Sequence, residues 1–273
     1  MSISPVDFDY LRKLMAEHTA IVLDAGKEYI AESRLAHVIN QEGFDSIREL
    51  IHTLRTRSFE GLHRRVVDAM TNNETWFFRD LLPFQALQKE IIPALIAARS
   101  AERRLNIWCA ACSSGQEPYS ILMLLRENFP ELRTWNVRLL ATDISTAMLE
   151  RAQRGHFSQL EINRGLPAVL LARYFTREGL DWVISPDLGK CIEFRHFNLA
   201  EPWREFPSSD VIFIRNVLIY FDVETKRAIL ARVRRALRPD GYMFMGGAET
   251  TLNLDDSFER VPYQNTAYYR LRN

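Results

Sequence analysis

The chain has 273 residues, with 35 lysines and arginines against 35 aspartates and glutamates, so its formal net charge is zero. At ~150 residues per domain this length suits one large domain or two smaller ones, and a 47% hydrophobic composition excludes wholesale disorder and collagen-like architecture. A balanced charge also speaks against a chain whose main work is gripping nucleic-acid backbone.

Three cysteines are too few for a disulfide scaffold and suit a reducing compartment. No apolar run approaches the ~18 residues of a membrane span. The start, MSISPVDFDYLRK, lacks the apolar segment of a secretory signal. The expectation is a cytoplasmic monomer that is not membrane-inserted and has no nucleic-acid partner.

From about residue 5 to 99 the apolar pattern is helical. Phe8, Leu11 and Met15 share one face, and Ile47, Leu50, Ile51 and Leu54 fit i, i+3, i+4, i+7. Ser46-Ile47-Arg48-Glu49 has the spacing of a capping box. Phe59, Leu62, Val66 and Met70 continue the pattern. Over residues 48–65, five arginines (Arg48, Arg55, Arg57, Arg64, Arg65) stand against Glu49 and Glu60, a local basic excess in a neutral protein. A solvated helix face and a docking surface for an acidic partner both fit it.

From Leu105 the period changes. Short apolar runs (LNIWCAA, VRLLATD, CIEFRHF, DVIFIRN, GYMFMGG) alternate with helical stretches, which predicts βαβ units and a parallel sheet buried on both faces. Phe258–Val261 and Ala267–Leu271, separated by Pro262 and a polar turn, predict a terminal antiparallel hairpin. The helix ending near Gly155 and the strand beginning near Cys191 leave a gap too long for an ordinary loop. Within it ARYFT and DWVIS flank a turn at Arg177–Leu180, so the segment 156–190 is expected to be a small inserted β-subdomain.

Ligands of open α/β sheets bind beyond the carboxyl ends of the strands. After strand one comes Cys112-Ser113-Ser114-Gly115-Gln116-Glu117-Pro118, which has one glycine and neither a G-x-G-x-x-G nor a P-loop lysine. Ser114 and Glu117 have capping-box spacing, and capping and ligand binding fit equally. After strand two comes Ala141-Thr142-Asp143-Ile144, whose acid is placed to bind ribose hydroxyls, or to cap the next helix if Ser145 does not. After strand three comes Phe197-Asn198-Leu199. After strand four comes Arg215-Asn216, two polar residues that need partners at a buried strand end, which for Arg215 could be a ligand or a structural carboxylate. Asp222 reads as an N-cap. Cys109-Ala110-Ala111-Cys112 is a C-x-x-C, but Cys109 falls in a core strand and only Cys191 remains elsewhere, so no metal is expected.

These loops, the reversed last strand and Leu237-Arg238-Pro239-Asp240-Gly241-Tyr242 before strand five resemble class I S-adenosylmethionine-dependent methyltransferases. The strand-four tip lacks the Asn/Asp-Pro-Pro-aromatic motif of amino-methylating DNA enzymes. Thr71-Asn72-Asn73-Glu74-Thr75-Trp76-Phe77-Phe78-Arg79, together with Cys112–Ser120, Ala141–Ile144 and Phe213–Phe221, more closely resembles the CheR-type chemotaxis receptor methyltransferases. Ser33-Arg34-Leu35 is similar to that family too, and the likeness runs over nearly the whole chain.

The resemblance implies an α/β fold: an all-helical N-terminal domain (1–80) for receptor docking, then a class I, Rossmann-like methyltransferase domain (81–273) carrying the β-subdomain. It implies methyl transfer from S-adenosylmethionine to glutamates on the cytoplasmic helices of chemoreceptors, leaving S-adenosylhomocysteine. By the same resemblance Asn73, Thr75, Arg79, Glu117, Asp143, the Asn198–Leu199 pair and the Arg215–Asn216 pair line the cofactor pocket. Arg79 and Tyr220 match the positions that matter most for transfer. The aromatics Trp76, Phe77 and Phe78 are expected either to wall the site or to pack in the core.

Overall fold

A computed structural model describes residues 2–204 and 206–272. The chain divides into two compact units, one running up to Asn72 and taking in Tyr220–Thr225, the other comprising Asn73–Ile219 and Lys226 onward.

The first unit is built on four helices, α1 (Pro5–Thr19), α2 (Glu28–Glu42), α3 (Ile47–Thr56) and α4 (Gly61–Met70). Each apolar stripe turns inward: Leu11, Met15, Leu35, Leu50, Ile51 and Val66 are fully buried in one cluster. Burial of each such side chain contributes about 1.5–3 kcal/mol. Ser4 caps α1 by accepting from the Asp7 N–H at 3.1 Å, with Pro5 in the first turn. Ser46 caps α3 through the Glu49 N–H at 3.2 Å, but the Glu49 carboxylate returns to the Asp45 N–H at 2.8 Å, so the expected box closes one residue early. Phe59 departs from the expected stripe. It precedes α4, is 37% exposed and stacks on His18 with ring centroids 3.8 Å apart. An Ile21–Phe221 bridge and a 2.9 Å bond from Val22 N–H to the Tyr220 carbonyl bring 220–221 into this unit.

The second unit is centred on a seven-stranded sheet. In chain order the strands of this unit are β1 (Arg104–Ala110), β2 (Asn136–Asp143), β3 (His156–Ser158), β4 (Phe175–Glu178), β5 (Asp181–Ile184), β6 (Ile192–His196), β7 (Ser209–Ile214), β8 (Leu237–Met245), β9 (Phe258–Tyr263) and β10 (Thr266–Leu271). The large sheet has the order β6-β2-β1-β7-β8-β10-β9, parallel through β8, with β10 antiparallel to β8 and to β9. The central strand β7 is buried along its whole length, as an apolar run covered on both faces should be. The order reverses between β1 and β7, which opens the crevice at the carboxyl ends of these two strands.

The insertion is a separate antiparallel sheet of order β3-β5-β4. Its hairpin turns at Gly179, φ 62°, as the sequence predicts, while β3 is an added strand. Gly155 ends the preceding helix at φ 65°, where a Cβ would lie 2.4 Å from Ile184 Cγ2, so the chain can pass the subdomain only with glycine there. Phe77, Phe157 and Phe175 meet edge to face and join the subdomain to the core of the same unit.

Two strand boundaries differ from expectation. Pro262 lies inside β9, opposite Ala267, rather than in the turn. β9 is the edge of the sheet, where a missing N–H is tolerated. The 237–242 segment is part of β8, with a register shift opposite Ser209–Val211 that accommodates Pro239 and Asp240. Behind that shift Arg99 Nε bonds Asp210 at 2.8 Å, and its Nη atoms bond Asp240 at 2.7 and 2.5 Å. Asp210 also accepts from the Asn106 N–H at 2.8 Å. Among the described residues no helix is long and apolar enough to cross a membrane.

Candidate functional site

The loop between β1 and the helix Gln116–Asn128 turns sharply, with Ala111, Ser113 and Gly115 all at positive φ. Its single glycine has a packing role, since a Cβ on Gly115 would stand 2.9 Å from Ala152 Cβ. Ser114 does not cap the helix; its hydroxyl is 2.8 Å from Gln116 Oε1, and the cap position is Gly115. Glu117 is therefore not half of a capping box. It is buried, and Arg215 Nη1 donates to its Oε2 at 2.9 Å. Burial raises the Glu117 carboxyl above the usual carboxylate range, and the Arg215 charge opposes that rise.

Asp143 ends β2. Its Oδ2 accepts from the Ser113 N–H at 2.7 Å and its Oδ1 from the Ser145 N–H at 2.8 Å. Ser145 is the helix N-cap, accepting from the Met148 N–H, so capping does not fall to Asp143. A carboxylate has about four acceptor directions and can accept from several donors at once. Asn198 and Leu199 follow β6 and are both buried. Asn198 Oδ1 accepts from the Ala200 N–H at 3.0 Å and its Nδ2 donates to Glu201 at 3.1 Å.

Arg215 follows β7, its side chain 1% exposed. Besides Glu117 it donates to the Arg79 carbonyl at 3.0 Å and to Asp80 at 2.7 Å. Its Nε is buried with no hydrogen-bond partner. A buried N–H left unpaired is costly, and a ligand acceptor would satisfy it. Asp80, which the sequence reading passed over, adjoins Arg79 in its motif. Phe78, Asp80 and Leu81 all sit at positive φ, a run of backbone strain held beside Arg215.

Arg79 donates to the Glu74 carbonyl at 2.7 Å and lies over the Trp76 ring at 4.3 Å. Arg164 covers the same ring at 3.9 Å and pairs with Glu74 at 2.8 Å. Phe77 is fully buried among Phe157 and Phe175, so it is core and not a wall of the site. Thr75 is half-buried. Asn73 joins the β1 loop through its carbonyl, which accepts from the Ser113 hydroxyl at 2.8 Å. Asn216, φ 56°, starts a loop whose amides gather on Glu249, a residue with no motif signal in the sequence. Only its position after the β8 run marks it.

Tyr220 belongs to the helical unit. Its hydroxyl is 2.5 Å from Asn72 Nδ2, and with Arg34 and Lys27 it lines a cleft of about 230 Å³. Of the five arginines, Arg55 pairs with Asp7 at 3.2 Å and Arg65 with Glu42 at 2.7 Å, while Arg48, Arg57 and Arg64 are exposed. Cys109 and Cys112 are buried, and burial raises both thiols well above their ordinary range. That suits core residues and not thiolate nucleophiles. A larger cavity of about 580 Å³ is walled by Leu122, Phe129, Trp135 and Val137, toward the amino end of β2 and away from these groups.

An open sheet with an acid after β2, a buried acid after β1 and a buried arginine after β7 defines a methyltransferase of the S-adenosylmethionine-binding class. Residues 73–267 match the family described as CheR methyltransferase, SAM binding domain, and residues 6–71 match its all-alpha domain. The chain belongs to the CheR methyltransferase family. It is 40% identical, over 100% of both chains, to Chemotaxis protein methyltransferase 1 of Pseudomonas aeruginosa. It is 39% identical, over 96% of each, to Chemotaxis protein methyltransferase Cher2 of Pseudomonas putida. It is 34% identical to a chemotaxis protein methyltransferase of Vibrio parahaemolyticus, over 100% of this chain and 99% of that one.

Proposed function

We propose that the chain methylates glutamate side chains on the cytoplasmic helices of chemoreceptors, forming glutamate methyl esters in chemotaxis adaptation. The observation that carries the cofactor assignment is the buried Glu117–Arg215 pair with its orphaned Nε, one cation and one anion side by side. The methionine part of S-adenosylmethionine is itself an ammonium–carboxylate pair: Glu117 would take the ammonium and Arg215 the carboxylate. Asp143 would hold the ribose, and Asn73, Thr75, Arg79, Asn198, Leu199 and Asn216 would complete the pocket.

The cofactor supplies a methyl group on a sulfonium. A glutamate carboxylate, pKa about 4.3, is already ionised at neutral pH, so no general base is needed. One C–O bond forms as the S–CH₃ bond breaks, and both charges disappear. A site poor in water favours that neutralisation, and in-line alignment supplies several kcal/mol. Arg79, held by Trp76 and the Glu74 carbonyl, acts as a positioner. A tight pairing with the attacking oxygen would blunt its nucleophilicity. Tyr220 is the second residue assigned to transfer.

The helical unit would dock the receptor, and the sheet unit, which carries Asn73, Thr75 and Arg79, would catalyse transfer, in a monomer acting in the cytoplasm. Docking falls to Arg48, Arg57 and Arg64, with Arg55 and Arg65 contributing charge. The test is transfer of tritiated methyl from S-adenosylmethionine to chemoreceptor-containing membranes, followed by alkali. Volatile methanol released by base is expected from an ester; a base-stable label would contradict it.

A further inference from the structure

One carboxylate in the sheet unit gathers an unusual number of amides. Glu249 Oε1 accepts from the N–H groups of Val217 at 2.9 Å, Leu218 at 2.7 Å and Ile219 at 3.3 Å. Its Oε2 accepts from Asn216 and Gly246, both at 2.7 Å. Four consecutive amides of the loop after β7 thus converge on one anion, together with the first residue after β8. Converging backbone N–H groups form an anion-binding nest, and here the anion is a side chain of the chain itself.

The approach is close. A Cβ on Gly246 would meet Asn216 Nδ2 at 2.6 Å, Glu249 Oε2 at 2.7 Å and Asn216 N at 2.8 Å, so only glycine admits the carboxylate there. β7 and β8 pair up to Ile214 and Met245, two residues before the Asn216 amide on one strand and one before the Gly246 amide on the other. Glu249 therefore continues the pairing of the two strands past the point where their ladder ends. It does so where Arg215 leaves the sheet and where Asn216 takes φ 56°.

We propose that Glu249 is a positioning residue for methyl transfer. By holding the amides of 216–219, it fixes the backbone that aims Arg215 at Glu117 and presents Asn216. This rests on the reading that Arg215 and Asn216 line the cofactor pocket. A residue that merely staples two strands would lower stability and leave the cofactor affinity of the folded protein unchanged. Glutamine keeps the length of Glu249 but replaces one acceptor oxygen with an NH₂ that faces N–H donors.

The test is calorimetric affinity for S-adenosylhomocysteine in the full chain bearing Glu249→Gln, Asn216→Ala, or both, below the melting temperature of each. Asn216→Ala and Glu249→Gln should each weaken binding by about tenfold, and the double variant should be little weaker than either, as for residues acting as a unit. If Asn216→Ala weakens binding while Glu249→Gln lowers only the melting temperature, or multiplies with it, the positioning role is overturned and the pocket assignment stands. If Asn216→Ala leaves affinity unchanged, the pocket assignment fails and takes this inference with it. Gly246→Ala, which keeps the carboxylate but crowds its seat, should weaken binding in the same direction. A folded Gly246→Ala with full affinity would also overturn the proposal.

Discussion

Arg215 and Glu117 lie 98 positions apart in the chain and meet through a 2.9 Å hydrogen bond, with the arginine side chain 1% exposed and the glutamate 11%. Removing one partner of a buried pair strands the other, at a cost of about 3–5 kcal/mol, whereas replacing both can be far milder. Arg215→Met should therefore destabilise the protein steeply. Arg215→Met with Glu117→Gln should recover part of that loss, while cofactor binding remains poor in both. Thermal unfolding with and without S-adenosylhomocysteine separates the two effects. Additive losses of stability would show that the pair is not coupled.

The same pair sets a pH dependence. Burial raises Glu117 above the usual carboxylate range, against the pull of Arg215. The folded state thus holds this proton more tightly than the unfolded chain, so the group favours folding at low pH, and that contribution is lost as pH rises through its folded pKa. Binding the cofactor's ammonium has the opposite sign, because it needs the ionised carboxylate. Affinity for S-adenosylhomocysteine should fall on acidification at a higher pH than an exposed glutamate would give. Titrations across mildly acid to neutral pH should show this in the wild type, and Glu117→Gln should be weak and flat. A wild type whose affinity is independent of pH would remove Glu117 from the ammonium role.

Arg99 offers a contrast, because it is equally well paired but far from any proposed chemistry. It ties buried Asp210 to Asp240, and hydrogen bonding to Arg99 lowers the Asp240 carboxyl below its usual range. Arg99→Met should cost up to about 3–5 kcal/mol, because it leaves buried Asp210 with only the Asn106 N–H and the longer 3.6 Å approach of Arg238. The fraction that remains folded should bind S-adenosylhomocysteine normally. Denaturant unfolding with parallel calorimetry checks both halves of that expectation.

Docking to an acidic receptor bundle should be salt-sensitive. Exposed Arg48, Arg57 and Arg64 should matter more than Arg55 and Arg65, which are already paired. The triple Ala variant of Arg48, Arg57 and Arg64 is expected to raise the KM for receptor and flatten its dependence on salt, with KM for the cofactor unchanged. Unaltered receptor kinetics would dismiss this face.

The fold was legible where period and punctuation agree: the stripe of Ile47, Leu50, Ile51 and Leu54, the apolar β7 run, Gly155 at the entry to the insertion and Gly179 at its hairpin turn. Asp143 and Arg215 stood out as polar residues at the ends of buried strands, while Glu117 was open between capping and ligand binding by spacing and joined the pocket only through the resemblance. What was not legible depended on partners distant in sequence. Spacing could not tell that Glu117 meets Arg215 instead of completing a capping box with Ser114. Pro262 looked like a turn residue because the edge position of β9 is a property of the sheet. Phe77 looked like a candidate for the site until its contacts with Phe157 and Phe175, made across the insertion, showed it to be core. Glu249 carried no signal because its partners are amides, which every residue has.

The most direct measurement is the affinity of S-adenosylhomocysteine for the wild type and for Asp143→Ala. Asp143 sits at the tip of β2 with the Ser113 and Ser145 amides on its two oxygens, and in the proposed function it holds the ribose. The wild type should bind, and Asp143→Ala should bind at least about tenfold more weakly, since two hydrogen bonds to a charged group are lost. Equal affinity in the two proteins would contradict the placement of the cofactor at the carboxyl ends of β1, β2 and β7.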